Sequence, residues 1–249
     1  MSHLGGMVRM LALLTGLSAG AGEVQAERCV VLLHGLARGA GSMTVLAQVL
    51  RNSGYTVINQ DYASTKTDVS DLSTVVDEAL AKCGAKAKKV NFVTHSMGGI
   101  VLRQWVAEHG DRRIGRVVMM GPPNQGSELV DQLGDLKIFQ QVNGPAGNQL
   151  RTDAGSLPQR LGPVTFELGV IAGTQSLNPV YSNMIPGEDD GKVSVASTRV
   201  KGMKDHIALP VTHTFMMNNP VVIAQIQAFL ANGAFDGEIT LGDALFGRD

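Results

Sequence analysis

An alternation constrains this chain more than any other feature: short apolar runs of strand length recur between stretches of helical periodicity. Cys29-Val30-Val31-Leu32-Leu33 is apolar throughout, and a strand apolar on both faces suits a parallel sheet covered on both faces. The run stops at His34-Gly35. Tyr55 to Ile58, Val90 to Val93, Arg116 to Met120 and Phe166 to Ala172 read as further strands, with His206 to Leu209 the last. Between the first two, Ser42 is a good N-cap and predicts a helix that ends at the Asn52-Ser53-Gly54 turn. Leu72, Val75, Val76, Ala79 and Leu80 share one face of a helix over Asp71 to Cys83, and Ile100 to His109 and Val221 to Leu230 read as two more. Repeated strand, helix, strand predicts an α/β fold, a doubly wound and mostly parallel sheet with helices on both faces.

From Pro122 to about Pro163 the rhythm breaks into a segment rich in Gly, Pro, Gln and Asn around Leu129-Val130, Leu133, Leu136 and Ile138-Phe139. It reads as an insertion over the sheet edge, a small lid or cap. Such an amphipathic stretch either packs on its own domain or walls a ligand site, and the second reading makes Leu129, Leu133 and Phe139 candidate substrate-binding residues. No repeat, low-complexity tract or linker divides the remainder, so residues 27–249 read as one domain.

With Lys and Arg numbering 21 against 22 Asp and Glu, the formal charge is -1, and no basic stripe offers a nucleic acid a footprint. Near the N-terminus Arg9 precedes the apolar run Met10 to Leu14, and Val24-Gln25-Ala26 places small residues at the cleavage-determining positions. Residues 1–26 therefore read as a signal peptide, with export to a periplasm or beyond. The run is shorter than the roughly 18 to 20 apolar residues that span a bilayer, so stable membrane insertion is not expected. In an exported chain the two cysteines, Cys29 and Cys83, permit a disulfide; the alternative is two separate buried thiols.

A serine attacks only when a base takes its proton, a third group orients the base and backbone N–H groups receive the oxyanion. Ser96 lies in Thr94-His95-Ser96-Met97-Gly98-Gly99, directly after an apolar strand and before a helix, which is the setting of a nucleophile elbow. Thr94 stands where the first glycine of G-x-S-x-G belongs, and its branching crowds the turn. Of the six histidines, His3 falls in the signal peptide, His95 adjoins Ser96 and is expected to point elsewhere, and His34, His109 and His206 belong to the first loop, a helix end and a strand start. His213, in the loop after the last strand, remains as the base. For the acid, Asp189 and Asp190 share a tight turn, and Asp190, which precedes Gly191, is preferred. The order Ser, Asp, His fits the fold. The acidic turn lacks EF-hand spacing, and no metal is expected. The N–H groups of Met97 and of Leu36, in His34-Gly35-Leu36-Ala37-Arg38-Gly39, are the candidate oxyanion donors.

On these residues the chain resembles the α/β-hydrolase superfamily, in particular bacterial lipases and esterases with His-Gly loops and Thr-His-Ser-Met-Gly-Gly elbows, over Cys29 to about Leu230. Gly121 to Ser127 is similar to the segment that precedes a lid in lipase-like members. The resemblance implies hydrolysis of carboxylic esters, of a small-molecule or lipid-like kind, without a cofactor. It casts Ser96 as nucleophile, His213 as base, Asp190 as its partner and Leu36 and Met97 as oxyanion donors.

Overall fold

Along each strand successive side chains point to opposite sides of the sheet, and in the central strands both sets are largely apolar. A computed structural model of the protein describes residues 28–247; the expected signal peptide lies outside them. Six strands, β1 (Cys29–Leu33), β2 (Thr56–Gln60), β3 (Val90–His95), β4 (Ile114–Met120), β5 (Leu168–Gln175) and β6 (Asp205–Thr212), form one sheet in the order β2-β1-β3-β4-β5-β6. Every pairing is parallel. Val30 and Leu32 face one apolar layer, Val31 and Leu33 the other. The same alternation separates Val117 and Met119 from Val118 and Met120.

Helices cover both layers. α1 (Thr44–Asn52) buries Leu46, Ala47 and Leu50 on the face that Val30 and Leu32 present, while α2 (Val75–Cys83) and α3 (Met97–His109) cover the opposite face. Ser42 does not cap α1: its hydroxyl donates to the Gly39 carbonyl inside a 3₁₀ turn, and α1 begins at Thr44 without a side-chain cap. The helix expected over Asp71 to Cys83 is interrupted as well, because Ser73 donates back to the Ser70 carbonyl and separates a single turn, Val69–Leu72, from α2.

Between β4 and β5 the chain forms α4 (Glu128–Leu133) and α5 (Lys137–Asn148), the latter kinked at Gly144 and Pro145, followed by one turn at Leu157–Arg160. The closing helix α6 (Pro220–Asn232) is capped by the Asn219 side chain and returns to the α1 face. A short exposed helix, α7 (Leu241–Phe246), follows it with a Thr240–Asp243 capping box. Cys29 and Cys83 are joined in a disulfide, so the start of β1 is bonded to the end of α2. No helix among the described residues is long and apolar enough to cross a membrane.

Candidate active site

The loops at the carboxyl ends of the strands converge on Ser96. After β3 the backbone reverses so sharply that Ser96 adopts φ 53°, a conformation that side-chain-bearing residues rarely take. Its N–H donates to the Met120 carbonyl at 2.8 Å, which ties the turn to the end of β4. A Cβ on Gly98 would lie 2.6 Å from the Leu33 carbonyl oxygen and 2.8 Å from that of His34, so only glycine lets the elbow approach β1. At Gly99 a Cβ would meet Met119 and the hydroxyl of Thr94. Thr94 is fully buried, and Gly99 gives its hydroxyl room.

The candidate oxyanion loop follows β1. Among non-glycine residues described, Ala37 is the only one besides Ser96 with positive φ, also 53°. His34 anchors the loop from below: its ring stacks on Tyr62 at 4.0 Å, and the Tyr62 hydroxyl donates to the His34 carbonyl. Leu36 is thereby held beside Ser96, at the rim of the same cavity. Met97 opens α3, where the first N–H groups have no partner inside the helix.

His213 and Asp190 meet. His213 Nδ1 lies 2.7 Å from Asp190 Oδ2, and the His213 N–H donates to the Asp190 carbonyl at 2.9 Å. The second oxygen, Oδ1, accepts from the N–H groups of Lys192 and Val193 at 3.0 and 2.9 Å, so the carboxylate is held by three hydrogen bonds. Asp189 points elsewhere, accepting from Ser182 Oγ and the Gly191 N–H. Gly121, at φ 53°, leaves the room that the pair needs; a Cβ there would come within 2.8 Å of Asp190 Oδ2 and 3.0 Å of His213 Nδ1.

His95 departs from expectation. Its ring does not point away but lines the cavity, 4.8 Å from the His213 ring between centroids, and its Nε2 donates to the His213 carbonyl at 2.9 Å. Burial first, and then the neighbouring His213, hold the His95 pKa well below its ordinary value, so the ring is neutral. Nothing in the sequence signals this contact, which joins residues 118 positions apart.

Ser96, His95 and His213 open into a cavity of about 320 Å³. Leu129 and Phe139 line it, together with Val130 and Val142 from the same insertion; Leu133, expected with them, is not among the lining residues. The insertion is fastened to α3 by Arg103, which is buried and donates to the Asn124, Pro158 and Gly162 carbonyls and to Asn124 Oδ1. Burial lowers its pKa to about 10. Among the described residues no group of three His, Cys, Asp or Glu is placed to hold a metal ion.

The model of an alpha/beta hydrolase family matches residues 30–225, most of the chain and all the site residues. The chain belongs to that alpha/beta hydrolase family. Among solved structures it is similar to the mature lipase BlEst2 of Bacillus licheniformis, with 20% identity and a TM-score of 0.65, covering 82% of this chain and 92% of that one. Lipase B of Aspergillus fumigatus is similar at 17% identity and a TM-score of 0.62, covering 94% and 59%. A metagenomic carboxyl esterase is similar at 18% identity and a TM-score of 0.60, covering 84% and 69%. No curated protein matches the sequence. At these identities the structures share the hydrolase's fold, and its chemistry rests on its own site.

Proposed function

We propose that this α/β-hydrolase cleaves carboxylic esters with an apolar acyl group through a covalent acyl-enzyme on Ser96. The observation that carries the reading is the buried His213–Asp190 pair, 2.7 Å between Nδ1 and Oδ2, facing the same cavity as the strained Ser96 turn. With Nδ1 committed to the carboxylate, His213 keeps Nε2 as the nitrogen that takes the serine proton and later gives it to the leaving alcohol. Asp190, held by three hydrogen bonds, orients the ring and stabilises the imidazolium that forms. The N–H groups of Leu36 and Met97 receive the oxyanion; a single such donor is commonly worth about 2.7 to 4 kcal/mol of barrier. Leu129, Val130, Phe139 and Val142 form the acyl wall, and the similarity to lipases and an esterase accords with that substrate class.

The Cys29–Cys83 disulfide supports work outside a reducing cytoplasm, in line with residues 1–26 acting as an export signal. A fluorophosphonate probe tests the chemistry: the wild-type protein should label, and Ser96→Ala and His213→Ala should lose labelling by at least about 10³-fold. Equal labelling of folded Ser96→Ala protein would overturn the assignment. Parallel ester, thioester and amide panels identify the bond that is cleaved.

A further inference from the structure

The cavity at Ser96 is charged where the molecule as a whole is not. The chain carries a formal charge of -1, yet Arg38 and Lys192 line the cavity, with neither an aspartate nor a glutamate among its lining residues. Arg38 comes two residues after Leu36 and Lys192 two after Asp190. Each of the two loops that flank Ser96 therefore contributes one cation. Neither side chain forms an ion pair among the described residues; Lys192 Nζ lies 5.6 Å from the centroid of the Tyr181 ring. The carboxylate nearest in sequence, Asp190, is already occupied by His213 and two backbone N–H groups. Both side chains are exposed at the edge of the cavity, and desolvation and then the Arg38 guanidinium push the Lys192 ammonium below its ordinary range against a smaller pull from the Asp190 carboxylate. Unpaired like charges in a cleft with low-dielectric walls focus a field on whatever enters it.

The apolar wall of Leu129, Val130, Phe139 and Val142 takes the acyl chain, which leaves the cationic rim to the other half of the ester. We propose that the alcohol half of the substrate carries a phosphate group, bound between Arg38 and Lys192. A phosphate monoester bears about -1.5 to -2 charge at pH 7 and three acceptor oxygens, enough for a guanidinium fork and an ammonium together, whereas a single carboxylate would neutralise only one. The inference rests on the ester-hydrolase reading of the same site. Ser96 Oγ attacks the acyl carbonyl, the bond from that carbon to the alcohol oxygen breaks, and His213 passes the serine proton to the departing alcohol; water then releases the acid. The phosphate is bound and not cleaved.

Two measurements test it. Fatty-acid release is followed from 1-decanoylglycerol 3-phosphate and from 1-decanoylglycerol, both below their aggregation concentrations, by wild-type protein and by Arg38→Gln/Lys192→Gln. The kcat/KM ratio of phosphorylated to neutral ester should be at least about tenfold in the wild type and fall towards one in the double variant. A wild-type ratio of one or less, or a ratio that the substitutions leave alone, overturns the proposal. Separately, octyl phosphate, which contains no carboxylic ester, is titrated by calorimetry into both proteins; it should bind the double variant about tenfold more weakly. Equal binding overturns the phosphate site even if esters are cleaved. Phosphate-dependent binding without hydrolysis of either ester would instead overturn the hydrolase reading and keep the site.

Discussion

At the scale of single residues the site depends on main-chain contacts as much as on the three side chains that name it. His213 is held at both ends: Asp190 fixes its ring and its N–H, while His95 Nε2 holds its carbonyl at 2.9 Å. Because burial keeps His95 neutral, it works as a fixed donor and not as a second base, which makes it a positioning residue. His95→Phe keeps the ring volume and removes the donor, leaving a buried carbonyl unpaired. The expected cost is about 1 kcal/mol of stability. A looser base lowers kcat about tenfold with KM little changed, since acyl binding does not involve this contact. His95→Gln, which can donate to the same carbonyl, should recover part of the loss. Steady-state kinetics on a soluble ester would sink the idea if His95→Phe kept full kcat, or if its whole effect fell on KM.

At the scale of elements, the sheet was legible because its central strands, β1 and the carboxyl half of β4 above all, are apolar on both faces, a pattern that a one-sided sheet does not produce. The grouping of Ser96, Asp190 and His213 as a candidate site was legible in their chain order, each following a strand on the sheet's carboxyl side. What escaped was one local hydrogen bond, from Ser73 to the Ser70 carbonyl, which breaks the helix between Leu72 and Val75, and contacts made by tertiary packing: the turn of His95 towards His213 and the absence of Leu133 from the cavity. Arg103 belongs with these, because a helical arginine in sequence reads as solvated and here is 4% exposed. It joins α3 to the Asn124 loop and to the end of the insertion through four oxygen acceptors. Arg103→Met fills similar volume but leaves those buried oxygens unpaired, and the protein should lose about 2 to 4 kcal/mol in urea unfolding. Limited proteolysis should cut first between residues 122 and 163, before the sheet opens. A loss below about 0.5 kcal/mol, within the range of an ordinary surface change, would mean that the insertion is held by its apolar contacts alone.

At the scale of the whole molecule, burial sets a common electrostatic bias: His34, His95 and His206 all have pKa values below the ordinary 6.5, in each case chiefly through desolvation. His206, whose Nε2 meets the Thr198 hydroxyl at 2.9 Å, is lowered to about 4. The unfolded chain protonates these rings near pH 6.5, and the folded chain resists until the pH is lower. Between those limits the unfolded state binds more protons, so stability rises with pH there; it is complete above about 6.5 and is lost as acid approaches the folded values. Glu167, drawn below its usual 4.5 mainly by hydrogen bonds from Arg116 and Lys204, works in the same direction but only at still lower pH. The interval from pH 7 to pH 5 therefore isolates the histidines. Urea midpoints should fall steadily as pH is lowered through that interval, and His206→Gln, which cannot titrate, should give a visibly shallower slope at similar stability near pH 7. A midpoint independent of pH across this range, or a His206→Gln slope as steep as that of the wild type, would show that the buried rings do not set the acid limit.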